Sequence, residues 1–347
     1  MAGGCPLPIM DHDTIVLGHG SGGKLSQRLL EQCILPAFAN DLLDPRHDGA
    51  VFAAGGGRLA FTTDSFVVSP PFFPGGDIGT LAVNGTVNDL AMCGALPLQL
   101  SVALIIEEGL PVERLWRILQ SMKEAAAAAG VTIATGDTKV VERGKADQIF
   151  ITTSGVGALA AANVDLRPGR VRGGDRVLLS APLAAHGIAV MSVREGLEFE
   201  SPIVSDSAPL NSMVAAMLEA ADGGIHVLRD PTRGGLASAS NEIAAGAGLG
   251  IRLDEAAIPV DEAVRGACEI LGLDPLYVAN EGVLTAVVDP GAADAVLAAM
   301  RGDPLGRRAA VVGEVVSDHP GMVTMATRVG GSRVVDMLAG EQLPRIC

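Results

Sequence analysis

The chain has 347 residues, 48% of them hydrophobic and 3% aromatic, with 44 glycines. That is long for a single core, and the composition suits a globular enzyme with many tight turns, which excludes a disordered or fibrous chain. A formal net charge of −15 excludes nonspecific nucleic-acid binding, which needs surplus lysine and arginine to neutralise phosphates.

In chain order, residues 1–13 are expected to be an N-terminal arm, followed by a first domain over 14–162. Helical patterns are predicted at Lys24–Phe38, Ile78–Cys93 and Val112–Ala129, the last with Leu115, Leu119 and Met122 at helical spacing. β-branched and aliphatic runs predict strands at Val51–Ala54, Leu59–Val68, Leu98–Ile106, Val131–Thr135 and Ile149–Val156. Proline, glycine and arginine then mark a linker over Asn163–Asp175. A second α/β domain over 170–338 opens with a strand at Arg176–Ser180. Helices follow at Ala184–Arg194, Leu210–Ala221, Gly234–Ala247, Asp261–Leu271 and Ala292–Met300, with strands at Ile251–Asp254, Val283–Val288, Ala309–Val315 and Met322–Ala326. Two α/β domains facing each other across a cleft fit this pattern better than one continuous sheet. Residues 339–347 form a tail.

The five cysteines at 5, 33, 93, 268 and 347 make no CxxC pair. A zinc ribbon, an iron–sulfur cluster and a disulfide framework are therefore not expected, and reduced thiols are. Cys33, Cys93 and Cys268 read as core thiols. The six histidines show no metal-ligand spacing and read as turn or surface residues, with His226 of interest because it closely precedes Asp230. The N-terminus has neither a basic nor an apolar signal region, and no run approaches the length of a membrane span, so a cytoplasmic location is expected.

Gly18, Gly20 and Gly23 satisfy G-x-G-x-x-G, and Gly18 to Lys24 nearly satisfies a P-loop. Both patterns fail in context. Leu25 stands where a P-loop needs a hydroxyl, and no acid closes a second strand as a dinucleotide site requires. What remains is a loop in which Gly22, Gly23 and Lys24 can embrace a polyphosphate with N–H groups and an ammonium.

Four acids stand out: Asp64 and Asp137, each read as closing a strand, Asp89 on a helix after Asn88, and Asp230 in Asp230-Pro-Thr-Arg-Gly-Gly235. Carboxylates at strand ends point into one crevice of an open α/β sheet, where they form an oxygen cage suited to Mg²⁺ bridging nucleotide phosphates. Lys139 and Arg233 are candidate phosphate clamps, and Glu281 is a candidate base. The chain ends in Gly340-Glu-Gln-Leu-Pro-Arg-Ile-Cys347. Gly340 and Pro344 disfavour a helix there, so the segment reads as an arm whose eight residues reach at most about 26 Å and carry a terminal thiol.

Gly20-Ser-Gly-Gly-Lys24, Thr63-Asp-Ser-Phe-Val-Val-Ser-Pro70, Phe72-Phe-Pro-Gly-Gly-Asp-Ile-Gly79, Thr86-Val-Asn-Asp-Leu90, Gly136-Asp-Thr-Lys-Val-Val141, Asp230-Pro-Thr-Arg-Gly-Gly235, Asn280-Glu-Gly282 and Pro344-Arg-Ile-Cys347 together resemble the HypE family of hydrogenase-maturation carbamoyl dehydratases. The resemblance implies a two-domain PurM-like fold of α/β (α+β) class. In it, the N-terminal domain pairs with its twin to form a dimer and the C-terminal domain closes over ATP. It implies ATP-dependent dehydration of a carbamoyl group on Cys347 to a thiocyanate, with carbamoyl delivered by the carbamoyltransferase HypF and cyanide passed to iron on a HypC–HypD scaffold. It further implies that Lys24, Asp64, Asp89, Asp137 and Asp230 hold MgATP, with Asn88 among the nucleotide-binding residues, that Lys139 and Arg233 balance phosphate charge, and that Glu281 moves a proton. Other readings are a selenophosphate or aminoimidazole-ribotide synthetase, and a nucleotide-sensing scaffold without catalysis. Neither synthetase needs a terminal thiol.

Overall fold

In this computed structural model the described residues are 14–38, 40–42, 46–159, 164–197, 203–338, 343 and 345–347. The arm over 1–13 and residues 339–342 and 344 of the tail lie outside them. The first helix is realised as α1 (Lys24–Leu29), a π-helical segment at Leu30–Ile34, and α2 (Leu35–Phe38). Strands β1 (Ala50–Ala54) and β2 (Gly57–Phe66) form a hairpin whose turn needs Gly55 and Gly56 at φ of +55° and +95°. A short hairpin, β3 (Phe72–Phe73) and β4 (Gly76–Asp77), leads into α3 (Ile78–Met92), where the Asp77 carboxylate accepts from Gly79 N and Thr80 N and so caps the first turn. Then come β5 (Ala95–Glu107), α4 (Val112–Ala129), β6 (Thr132–Val141) and β7 (Ile149–Leu159).

These strands form a five-stranded sheet in the order β1-β2-β7-β5-β6, with β5 and β6 parallel around the α4 crossover. Alternation along the strands sends Phe66, Leu100, Val102, Leu104, Ile149 and Ile151 into a core under α3 and α4. α3 is buried almost all round because it packs on the sheet, on α4 and on the second domain. That position places Asn84, Asn88 and Asp89 at the domain junction.

The second domain comprises β8 (Arg176–Leu179), α5 (Ala185–Arg194), α6 (Asn211–Ala221), β9 (Ile225–Arg229), α7 (Gly235–Ala247), β10 (Gly250–Asp254), α8 (Glu262–Leu271), β11 (Thr285–Val288), α9 (Ala293–Gly302), β12 (Ala310–Val316), β13 (Val323–Ala326) and β14 (Ser332–Val334). Its seven strands run β14-β13-β10-β12-β8-β11-β9. Val177 and Leu179 face a core shared with α5, α7 and α8, whereas Leu178 faces one shared with α6 and α9. Strands covered on both faces read as continuous apolar runs, which is why β8 and β11 are legible in the sequence. β9 is not, because Ile-His-Val-Leu-Arg breaks its apolar run with two polar residues, yet it pairs with β11 and delivers Arg229 and Asp230 to the junction.

The histidines depart from expectation. His186 is fully buried on α5, His19 is buried, and His226 is buried with its Nδ1 2.7 Å from Asp175 Oδ2. A histidine with both ring nitrogens satisfied is easily buried, and spacing along the sequence carries no signal of that. Cys93 and Cys268 are buried as expected, and Cys33 is half-buried. Among the described residues no helix is long and apolar enough to cross a membrane.

Candidate active site

The turn after β9 and the N-terminal glycine loop fit against each other. Gly22 has a φ of +74°, and a Cβ on it would lie 2.7 Å from the Arg233 carbonyl oxygen. Glycine is thus required both by the backbone and by the close approach. Ser238 Oγ donates to Gly22 O at 3.0 Å, Arg233 Nη1 donates to Gly20 O at 3.1 Å, and Lys24 N donates to Leu338 O at 2.8 Å. Gly22 and Gly23 therefore form one wall of the interdomain cleft, while the Lys24 ammonium pairs with Asp336.

Asp64 near the end of β2, Asp89 on α3, Asp230 after β9 and Glu281 after Ala279-Asn280 converge at the junction, close enough to perturb one another. Burial, then Asp230, hold Asp89 well above the usual carboxylate range. Burial, then Asp48, push Asp230 up to about 8. Burial raises Asp64 against the pull of Arg233, and burial followed by Asp230 raises Glu281 well above its ordinary value. Such crowding of carboxylates awaits positive charge. Arg229 ion-pairs with Asp48, and the Arg233 guanidinium faces Cys347, Asp64 and Glu281.

The tail lies in this cleft. Val67 N donates to Cys347 O at 3.0 Å, Ser69 N to Arg345 O at 3.2 Å, and His186 Nε2 to Ile346 O at 2.9 Å. Ile346 is 2% exposed in the core under α3 and α4. These contacts bring the Cys347 thiol within electrostatic reach of Glu281, Arg233, Asp64 and Asp230, and burial followed by Glu281 raises it far above an ordinary thiol. It is therefore an S–H at rest, not a thiolate. Burial pulls His186 down to about 4, so at neutral pH it is uncharged, with the Nε2 proton on Ile346 O and Nδ1 accepting from Ser205 Oγ at 2.8 Å.

Three expected members stand elsewhere. Asp137 does not close a strand: pairing with β5 runs on to Glu107 and Val141, so Asp137 and Lys139 lie in mid-strand on the exposed edge strand β6. They pair with each other at 2.5 Å, and Lys139 is the main cause of Asp137's lowered pKa. Asp137 shares a row with Ala103, Thr152 and Ser65, which sets it roughly 14 Å from β2 at three strand spacings. Within one protomer neither residue joins the Asp64 cluster. Asn88 is not free for a nucleotide either. Its amide donates to Ala208 O at 3.1 Å and Glu281 O at 3.2 Å and accepts from Leu210 N at 2.8 Å, so it locks the Glu281 segment in place.

Other residues belong to the site without having been expected there. Asp48 faces Asp89 and Asp230, and Asp206 accepts from Glu281 N at 2.8 Å. Asp206 is raised to about 6 by burial. Asp48 sits in a Pro-Arg-His-Asp-Gly turn and Asp206 in a Ser- and Pro-rich stretch, and acids in such contexts ordinarily serve turns.

The donor set fits a hard divalent cation such as Mg²⁺. Within reach of Asp64, Asp89 and Asp230, the oxygens Asp48 Oδ2 and Glu281 Oε1, with Asp206 Oδ2 beside Glu281, are buried without hydrogen-bond partners, and buried carboxylate oxygens require either protons or a cation. Among the described residues no three histidine, cysteine or acidic side chains gather tightly enough to hold an ion alone. Phosphate oxygens and water would complete the shell, as magnesium prefers.

Comparison with known proteins gives a consistent result. Residues 46–159 match the N-terminal domain and residues 172–325 the C-terminal domain of the AIR synthase related proteins. The chain is 56% identical over 333 residues to the carbamoyl dehydratase HypE of Rhizobium leguminosarum bv. viciae, covering 96% of this chain and 95% of that one. It is 47% identical to that of Escherichia coli K12, covering 96% and 100%. Among solved structures, HypE in complex with ATP superposes with a TM-score of 0.81 at 48% identity, covering 96% of this chain and 100% of that one. A HypE–HypF complex gives 0.84 at 47% identity, covering 89% and 99%.

Proposed function

The chain belongs to the HypE family of carbamoyl dehydratases, and from that membership we propose that it dehydrates a carbamoyl group carried on its own Cys347, using ATP, to supply the cyanide ligand of a hydrogenase iron. The observation that carries the reading is the Cys347 thiol beside Glu281, Arg233, Asp64 and Asp230.

The loaded tail is Cys347 S–C(=O)NH₂. An amide oxygen is a poor leaving group, so the carbamoyl oxygen attacks the γ-phosphorus of ATP and ADP departs. Glu281 takes a proton from nitrogen, the C–O bond breaks, and inorganic phosphate leaves with the former carbamoyl oxygen. The second nitrogen proton passes to the departing phosphate, giving S–C≡N. ATP and the carbamoyl group thus yield ADP, phosphate and thiocyanate with no water consumed. Arg233 balances the charge that develops on the transferred phosphoryl group. Asp64, Asp89 and Asp230, with Asp48 behind them, would hold Mg²⁺, which when bound polarises the phosphates as a Lewis acid. Gly22 and Gly23 supply the glycine wall along which the polyphosphate lies. The reaction is tested with ¹⁸O in the carbamoyl group: the label is expected in inorganic phosphate, and label released only as water contradicts the mechanism.

The resting thiol is a weak nucleophile, so loading belongs to the active site of the donor, HypF, and the tail must leave the cleft to reach it. Cyanide then passes to iron on HypC–HypD, in the cytoplasm. Asp137 and Lys139 act across a homodimer. Supporting this are Phe61, Leu96 and Ile105, which are 48%, 53% and 41% exposed and alternate with buried residues along β2 and β5, leaving large apolar side chains on the exposed face of the five-stranded sheet. Asp137 and Lys139 pair with Ala103 and Ile105 on that sheet. Mixing inactive Glu281→Gln and Asp137→Asn dimers should recover about a quarter of the activity, since half of the dimers are hybrids with one intact site. No recovery after exchange rules out the partner's contribution.

A further inference from the structure

The tail is held by an interface that reads sequence. The carbonyls of Arg345 and Ile346 and the carboxylate of Cys347 each accept a hydrogen bond from the body of the protein, from Ser69 N, His186 Nε2 and Val67 N. Arg345 O receives a second from Arg194 at 2.8 Å. Two side chains add selectivity. The Arg345 guanidinium pairs with Asp147 at 2.6 Å, donates through Nε to Val67 O at 3.0 Å and lies over the Phe150 ring. Ile346 is enclosed, and Leu343 packs between the cores of the two domains. Arg345 adopts a φ of +52°, a conformation that a free arginine populates sparsely and that the surrounding contacts must select.

None of these contacts depends on the covalent connection between the tail and Leu338. We propose that the cleft is a peptide-binding site specific for a C-terminal Leu-Pro-Arg-Ile-Cys segment, which it accepts in trans, from a free peptide or a second copy of the chain, as well as in cis. Together with the proposed dehydration, this makes the true substrate a peptide, with the chain's own tail as its tethered form.

A short tether supplies an effective concentration on the order of millimolar. A tail that stays docked in cis therefore implies a dissociation constant of about 1 mM or tighter for the free peptide. The test uses a chain ending at Leu338, which retains the Lys24–Leu338 hydrogen bond, and a fluorescent, uncarbamoylated Leu-Pro-Arg-Ile-Cys peptide with a free carboxylate, followed by anisotropy without nucleotide. Saturable binding is expected, at least tenfold weaker for a peptide with glutamate in place of arginine and partly restored to that peptide by Asp147→Arg in the protein. The intact chain should bind several-fold more weakly, because its own tail competes. Absence of binding up to several millimolar, equal binding of the glutamate peptide, or equally tight binding by the intact chain overturns the proposal. Should the shortened chain fold poorly, full-length Arg345→Glu, whose own tail has lost its anchor, must bind the peptide in its place. Because the assay needs neither carbamoyl nor ATP, its outcome is separate from that of the dehydration chemistry: a chain that binds the peptide but never dehydrates its loaded tail would retain the binding site and lose the reaction.

Discussion

Cys347→Ala is expected to abolish both carbamoyl loading and ATP-dependent dehydration, to background, while leaving ATP affinity within about twofold. The asymmetry follows from the geometry. The hydrogen bonds that seat the last three residues use two main-chain carbonyls and the terminal carboxylate, so they survive loss of the sulfur, and the glycine wall at Gly22 and Gly23 touches Arg233 and Leu338 rather than the tail. What disappears is the only atom that carries the substrate, and a missing covalent carrier leaves no slower route, unlike a missing acid or base. Loading is followed with isotopically labelled carbamoyl donor and HypF, and ATP binding by calorimetry. Equal labelling of the variant would move the acceptor to another residue.

Glu281→Gln is expected to lower the rate of dehydration by about 10²–10⁴, the usual worth of a positioned general base, with loading unchanged. Glutamine is nearly isosteric, and the main-chain contacts of this position, N–H to Asp206 and carbonyl to Asn88, do not involve the changed group. The pH dependence adds a second check. Only ionised Glu281 can take a proton, so the rate for the unsubstituted enzyme should rise with pH through the raised pKa of Glu281, and the variant should lack that limb. Stability should move the other way. A carboxyl raised in the folded state contributes stability fully present below its unfolded pKa of about 4.5 and lost as pH rises through its folded pKa. Glutamine has nothing to lose over that window, so in the absence of nucleotide and metal the variant should melt at the same temperature as the parent or higher near pH 8. A slower variant that also melts earlier would indicate a structural defect in place of a lost base.

Much of this site is legible before folding because its acids sit where strands deliver them. Asp64 near the end of β2 is visible as a carboxylate at the mouth of an apolar run, Asp230 through its Asp-Pro-Thr-Arg-Gly-Gly turn, and Asp89 as an acid on an otherwise apolar helix. The tail is visible as an arm from its glycine, proline and thiol. What escapes is set by contacts remote in sequence. Asp48 looks like a turn residue until Arg229, 181 positions away, pairs with it. Asp137 looks like the end of a strand because Gly136-Asp-Thr reads as a turn, whereas parallel pairing with β5 carries the strand on to Val141. Asn88 looks like a ligand because it neighbours Asp89, but one helical position turns it toward Ala208 and Leu210 instead. His186 has no local pattern at all. Its burial comes from packing between Phe73 and the tail, and a residue made useful by the last segment of the chain cannot be recognised from its neighbours.

The central claim is that the terminal sulfur carries its cargo into the acid-lined cleft and is changed there. The most direct measurement is the mass of the C-terminal peptide released from carbamoyl-loaded protein before and after a single turnover with MgATP. The account predicts that the carbamoyl mass on Cys347 falls by one water as one equivalent of ADP appears. ADP formation with the carbamoyl mass unchanged, or loss of the whole carbamoyl group without a cyano-sulfur product, would contradict it.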